Sequence, residues 1–140
     1  MVCTFFGHRD TPDSIRKALY ETLNDLIVNH GADTFYIGSQ GNFDRMVISE
    51  LEKLFSIYPH IKCYIVLAYM PKSNEKYCFD TIYPDGLESV PPKFALDKRN
   101  RIMLEWSDIV ITYVGCNFGG AAKFKAIAEK KGKQVINLYQ

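Results

Sequence analysis

The chain has 140 residues, a formal net charge of +1, and 47% hydrophobic against 24% charged residues. That length suits a single domain over residues 1–140 with one filled core. The near-balance of charge predicts no long-range pull toward nucleic acid or an anionic membrane. No apolar run reaches membrane-spanning length and no leader pattern opens the chain, so a cytoplasmic protein is expected.

The first strand is predicted at Val2–Phe6. Thr11-Pro12-Asp13-Ser14 reads as a helix start, with an N-cap hydroxyl, a proline in the first turn and early negative charge. Ile15, Leu19, Leu23 and Leu26 give that helix an apolar face, and Gly31 ends it. Thr34–Ile37 is a second strand; Phe43, Val47, Leu51 and Leu54 mark a second helix that stops near Tyr58-Pro59. Ile61–Tyr69 is a continuous apolar run, as expected of a strand buried on both faces of a parallel sheet.

The pattern then breaks over residues 72–92, a loop of about 20 residues, long enough to suggest a function. A third helix is predicted at Phe94–Trp106, a fourth strand at Ile109–Val114, a fourth helix at Gly120–Lys131 capped by Gly132, and a last strand at Gln134–Leu138. This order predicts an α/β fold: a Rossmann-like, doubly wound parallel sheet of about five strands, order 3-2-1-4-5, with helices on both faces. The four cysteines, Cys3, Cys63, Cys78 and Cys116, lack CxxC or zinc-ligand spacing, and the three histidines are scattered. No metal and no cofactor is predicted.

In such a sheet, ligands bind beyond the carboxyl ends of the strands. The first strand runs into Gly7-His8-Arg9, the second into Gly38-Ser39-Gln40-Gly41, and the fourth into a segment holding Gly115, Gly119 and Gly120. With the expected strand order these three loops share one rim. Glycine lets backbone approach an oxyanion, and helix N-termini offer unpaired N–H groups, so the rim reads as an anion or phosphate site. Arg9 is either a donor fork for that anion or a solvent-exposed partner of Asp10 or Asp13. His8 either meets the ligand or fastens a neighbouring loop. Arg99 and Asn100 open toward the same rim, with Arg101 in solvent. Asp44, early in the second helix, either answers the helix dipole or serves a ribose hydroxyl or a proton transfer. Asp108 precedes the fourth strand, at the opposite edge, and is expected to be structural.

Taken together, Gly7-His8-Arg9, Gly38-Ser39-Gln40-Gly41-Asn42-Phe43-Asp44, Tyr83-Pro84-Asp85-Gly86-Leu87-Glu88, Arg99-Asn100-Arg101-Ile102-Met103, Ser107-Asp108 and Gly119-Gly120-Ala121-Ala122 resemble the SLOG superfamily. That superfamily joins the SMF/DprA proteins to the Lonely-Guy (LOG) phosphoribohydrolases. The match is closest to its short bacterial branch with the G-H-R signature, and it covers nearly the whole chain. The resemblance implies a Rossmann-like fold that binds nucleotides or nucleotide-derived ligands at the glycine loops. LOG-type enzymes use an Arg in R-K-x-x-M and a Glu in P-G-G-x-G-T-x-x-E. Arg99 and Met103 fit the first segment, whereas Ala122 or Lys123 stands where the glutamate belongs.

The leading expectation is therefore binding or sensing of a small nucleotide-type ligand, with phosphate on Gly119-Gly120 and with Arg9 and Arg99 as donors. Tyr77, Phe79 and Tyr83 of the long loop either close over the base or form a satellite core or a dimer contact. A second reading is a nucleotide N-glycosidase of LOG type, its catalytic candidates Arg99 and a relocated carboxylate, Asp44, Glu75 or Asp80. Single-stranded DNA binding, as in DprA, ranks last on charge, so nucleic acid is expected to be an unlikely partner. A homodimer through exposed helix faces is compatible with this reading.

Overall fold

The computed structural model of the chain describes residues 1–72 and 75–140. The β-branched and aromatic runs form parallel strands, and the amphipathic segments between them form the crossovers. In chain order these are β1 (Val2–Gly7), a 3-10 turn (Asp13–Ile15), α1 (Arg16–Asn29), β2 (Thr34–Ile37), α2 (Gly41–Ile57), β3 (Lys62–Val66) and β4 (Asp80–Ile82). A second 3-10 turn (Leu87–Ser89), α3 (Pro92–Trp106), β5 (Ile109–Tyr113), α4 (Gly120–Lys130) and β6 (Gln134–Asn137) complete the order.

The sheet has six strands in the order β4-β3-β2-β1-β5-β6, every pair parallel. The expected five-strand order is retained, and the long loop adds a sixth strand at the edge. That strand, Asp80–Ile82, pairs Tyr64 with Asp80 and Val66 with Ile82. Three residues, two of them polar, are too few for period-two patterning to reveal.

Alternation along β1 sends Cys3 and Phe5 to one face and Phe6 to the other. The first face packs against α1 and α2 through Leu19, Leu23, Phe43, Val47 and Leu51. The second packs against α3 and α4 through Met103, Leu104, Phe124 and Ala128. The doubly wound layering therefore follows from strands apolar on both sides. No helix among the described residues is long and apolar enough to cross a membrane.

Two local expectations are corrected, and one left open between alternatives is decided in part. The Thr11 hydroxyl does not cap a helix; it donates to the His8 carbonyl at 2.5 Å, and a 3-10 turn precedes α1. The apolar run Ile61–Tyr69 is strand only to Val66; Leu67 then donates to the Ile82 carbonyl at 2.8 Å, and Leu67 and Ala68 stay buried. In the long loop, Phe79 packs on the main core beside Phe55, and Tyr83 packs on a satellite cluster of Ala68, Leu87 and Ala95. Those two aromatics are packing residues. Ser73 and Asn74 of that loop lie outside the described residues.

At the opposite edge Asp108 accepts the Val2 N–H at 2.9 Å and returns its own N–H to the Val2 carbonyl, aligning β5 with β1. Near the carboxyl edge, Asn137 plays the equivalent part. Its Oδ1 accepts from the Thr112 hydroxyl at 3.1 Å and the Val114 N–H at 3.0 Å, while its Nδ2 donates to the Val114 carbonyl at 3.0 Å. This fixes the direction in which the chain leaves β5.

Candidate functional site

The carboxyl ends of β1, β2 and β5 share one rim, and a crevice of about 540 Å³ opens there between α3 and the starts of α2 and α4. Of the residues singled out from sequence, Gly7, His8, Arg9, Gln40, Asp44, Arg99, Asn100, Gly119 and Gly120 line it. Ser39 lines a neighbouring cavity instead. Gly38, Gly41 and Gly115 do not line it; Gly38 is buried, Gly41 half-buried and Gly115 exposed.

The glycines separate cleanly by what a side chain would meet. A Cβ on Gly7 would lie 2.2 Å from the Phe43 ring, and one on Gly115 2.2 Å from the Tyr139 ring. Gly41 has φ +84° and would push into the Arg9 backbone at 2.8 Å. Here the chain runs so close that Asn42 donates to the Arg9 carbonyl at 3.0 Å. Close approach of the chain to itself explains Gly7, Gly41 and Gly115 by packing alone. Gly119 (φ +91°) and Gly120 have nothing within 4 Å, and their turn leads into the eleven-residue helix α4. Only that turn keeps the open backbone surface that an anion requires.

His8 fastens loops. Its Nε2 accepts the Gly115 N–H at 3.0 Å, which places the ring proton on Nδ1, and its own N–H donates to the Tyr113 carbonyl at 3.3 Å. Cys116 Sγ lies 3.7 Å from the same nitrogen. Of the two readings open from sequence, the positioning one is what these contacts describe. Arg9 is exposed and forms no ion pair with Asp10 or Asp13; Asp13 pairs with Arg16 at 3.4 Å.

The floor holds a buried pair of opposite charge. Arg99 is 3% exposed, its Nε donating to Asn100 Oδ1 and its Nη1 to the Val66 carbonyl, each at 2.9 Å. Among the described residues its Nη2 has no hydrogen-bond acceptor. Asp44 is 8% exposed, and its Oδ2 accepts the Gln40 N–H at 2.9 Å. The two do not touch: Asp44 Oδ2 and Arg99 Nη2 lie 2.8 and 3.1 Å from where a Gly38 Cβ would stand. The missing side chain at Gly38 leaves them this room. Burial pushes the Asp44 carboxyl up to about 6, against the Gln40 hydrogen bond and the Arg99 and Arg45 charges. Burial likewise lowers the Arg99 guanidinium, opposed by Asp44 and Tyr69. The crevice therefore offers a fixed donor and a carboxyl that changes charge near neutral pH.

Sequence reasoning missed two cationic contributors. Lys93 and Lys123 line the crevice. Lys123 Nζ meets Asp97 at 2.5 Å, and Arg101 Nε meets the same carboxylate at 2.7 Å, so Asp97 ties α3 to α4. Hydrogen bonding to Lys123, then to Arg101, holds the Asp97 carboxyl below its usual range. Next in the chain to the lining residues Lys93 and Gly119, Phe94 is 55% and Phe118 76% exposed, with Lys93 Nζ 5.1 Å from the Phe94 ring centre. An exposed Phe beside Lys93 or before Gly119-Gly120 was the available signal. Of the three carboxylates considered as a relocated catalytic group, Asp44 alone lines the crevice; Glu75 lines the neighbouring cavity, and Asp80 a cavity behind β3 and β4.

No model of a known protein family matches the chain, and no curated protein matches its sequence. Solved structures do share its fold. DNA processing protein A (DprA) from Streptococcus pneumoniae superposes with a TM-score of 0.69 at 18% identity, covering 96% of this chain and 49% of that one. DNA processing protein A from Helicobacter pylori, described for its single-stranded DNA binding mode, gives 0.63 at 14% identity, covering 98% and 64%. The chain thus spans about half to two thirds of these neighbours, whose fold it shares. They also correct the expectation that nucleic acid is an unlikely partner, because a solved protein of this fold binds single-stranded DNA. A net charge near zero is a global sum and does not by itself exclude a strand from this rim, where Arg9, Lys93 and Lys123 stand among Asp10, Asp44 and Asp97.

Proposed function

We propose that this chain is a SLOG-type binding module of the short G-H-R branch, and that its crevice holds a phosphate-bearing nucleotide unit. The open Gly119-Gly120 turn beside the buried Arg99 carries the reading. Phosphate sits against the N–H groups that begin α4, within reach of Arg9 or Lys93. Arg99 Nη2 on the floor donates to an acceptor atom of the sugar or base, and Asp44 accepts from a donor. A cavity of about 540 Å³ falls in the ordinary range for small-ligand sites.

A second reading, that the unit belongs to a single strand of nucleic acid, is favoured by the exposed Phe94 and Phe118, each next in the chain to a residue that lines the crevice. Aromatic faces interleaved with cations are what a strand with splayed bases stacks upon.

The test is a thermal-shift screen against nucleoside monophosphates, ADP-ribose, NAD, cyclic dinucleotides and short single-stranded oligonucleotides, each well then analysed by mass spectrometry. A ligand at 100 times its Kd adds roughly 2.7 kcal/mol, a rise of several degrees. Intact ligand supports binding, whereas released base establishes a hydrolase, acting through Arg99 and Asp44 where release is lost in Arg99→Ala and Asp44→Asn. The Gly120→Asp variant is expected to melt within about 1 °C of the parent, since its Cβ has open space. It is also expected to lose at least about tenfold in affinity by like-charge repulsion at the phosphate position. Unchanged affinity in that variant overturns the phosphate assignment.

A further inference from the structure

A second cavity, of about 360 Å³, opens on the same rim over the ends of β2 and β3. Gln40 lines both cavities, standing as the wall between them. The occupants of the two are therefore separated by one side chain. The second cavity differs in character from the first. Tyr69, Met70 and Tyr77 supply apolar faces, and Ser39 with Gln40 supplies a polar edge. Both tyrosines are held by their hydroxyls, Tyr69 donating to the Pro92 carbonyl at 2.9 Å and Tyr77 to Glu75 Oε2 at 2.7 Å. Rings anchored at their polar ends keep their faces for a flat partner. Tyr69 is 43% and Met70 68% exposed, apolar surface with nothing from the chain covering it among the described residues.

We infer that this cavity is a second nucleoside subsite, so that the ligand consists of two nucleoside units joined through phosphate and lies across Gln40. The inference rests on the proposed function, in which the first unit occupies the main crevice. A base stacks on Tyr77 and Met70 with its edge toward Ser39 and Gln40, and the linking phosphate passes the Gln40 amide. Of the three loop aromatics, Tyr77 alone faces a cavity on the rim; Phe79 and Tyr83 are spent in packing.

The test compares affinities by calorimetry for thymidine 5′-monophosphate, the 3′,5′-linked dinucleotide pdTpdT, and NAD as a 5′,5′-linked dinucleotide. At least one dinucleotide is expected to bind about tenfold or more tightly than the monophosphate, the worth of one stacked base. Preference for pdTpdT assigns the ligand to a strand, and preference for NAD to a free dinucleotide. Tyr77→Ala is expected to bring the ratio of dinucleotide to mononucleotide affinity close to one, while Tyr77→Phe keeps it, because the ring and not the hydroxyl stacks. Equal affinities in the parent, or a ratio unmoved by Tyr77→Ala, overturns the second subsite and leaves the first standing. Absence of binding by all three probes overturns both.

Discussion

Gly7 and Gly120 line the same crevice, yet a methyl group has opposite meanings at the two positions. At Gly7 it would enter the ring of Phe43, which is fully buried between β1 and α2. At Gly120 it would point into open space. One glycine exists because the protein comes close to itself, the other where it leaves its backbone uncovered. The difference separates scaffold from site within one rim, which residue type cannot do. The largest expected effect follows directly: Gly7→Ala should cost about 3 kcal/mol or more of stability, the upper range for overpacking a filled core. Denaturant unfolding reads this, against a near-parental midpoint for Gly120→Ala. Equal midpoints would erase the distinction.

Within the floor, the pair Asp44 and Arg99 sharpens the comparison through pH. The folded-state carboxyl of Asp44, pushed up to about 6, binds its proton more tightly than the unfolded one, whose ordinary value is about 4. Its contribution to stability is therefore fully present below pH 4 and is lost as pH rises through about 6. The loss amounts to roughly 2–3 kcal/mol, since a tenfold difference in proton affinity is worth about 1.4 kcal/mol. Other carboxylates, such as Asp97 with its lowered value, act in the opposite sense. The measurement is thus the difference between the parent and Asp44→Asn, followed by denaturant unfolding from pH 4 to pH 7.5. That difference should change by about 2 kcal/mol in favour of the variant as pH rises. A flat difference means that Asp44 is better solvated than its burial implies.

The same division explains what could be read in advance. Strand order, helix spacing and the meeting of three loops on one rim follow from period and connection rules, and they are legible in runs such as Ile109–Tyr113. Arg99 pointing inward and Arg101 outward follows from their spacing on α3, which puts them on different faces. The packed or open state of each glycine is not legible, because it depends on a partner far along the chain: Phe43 for Gly7, Tyr139 for Gly115. His8 is the same case. Its acceptor role is set by Gly115, 107 residues away. Strand β4 escapes notice because three residues carry too little pattern.

Gly115 makes the smallest and most discriminating case. Its Cβ would lie 2.2 Å from the Tyr139 ring, as close as the clash at Gly7. Yet Tyr139 is 47% exposed, so its ring can move outward into solvent at little cost. Gly115→Ala should therefore destabilise by less than about 1 kcal/mol, the difference from Gly7→Ala coming from the neighbour and not the distance. What Gly115→Ala should disturb is direction. The Gly115 N–H donates to His8, so a displaced Tyr139 and a shifted β5–α4 loop change where Gly119-Gly120 points. The expected outcome is a small loss in melting temperature with a two- to fivefold loss in nucleotide affinity, about 0.4–1 kcal/mol. A large loss of stability with affinity intact would instead make Tyr139 part of the core.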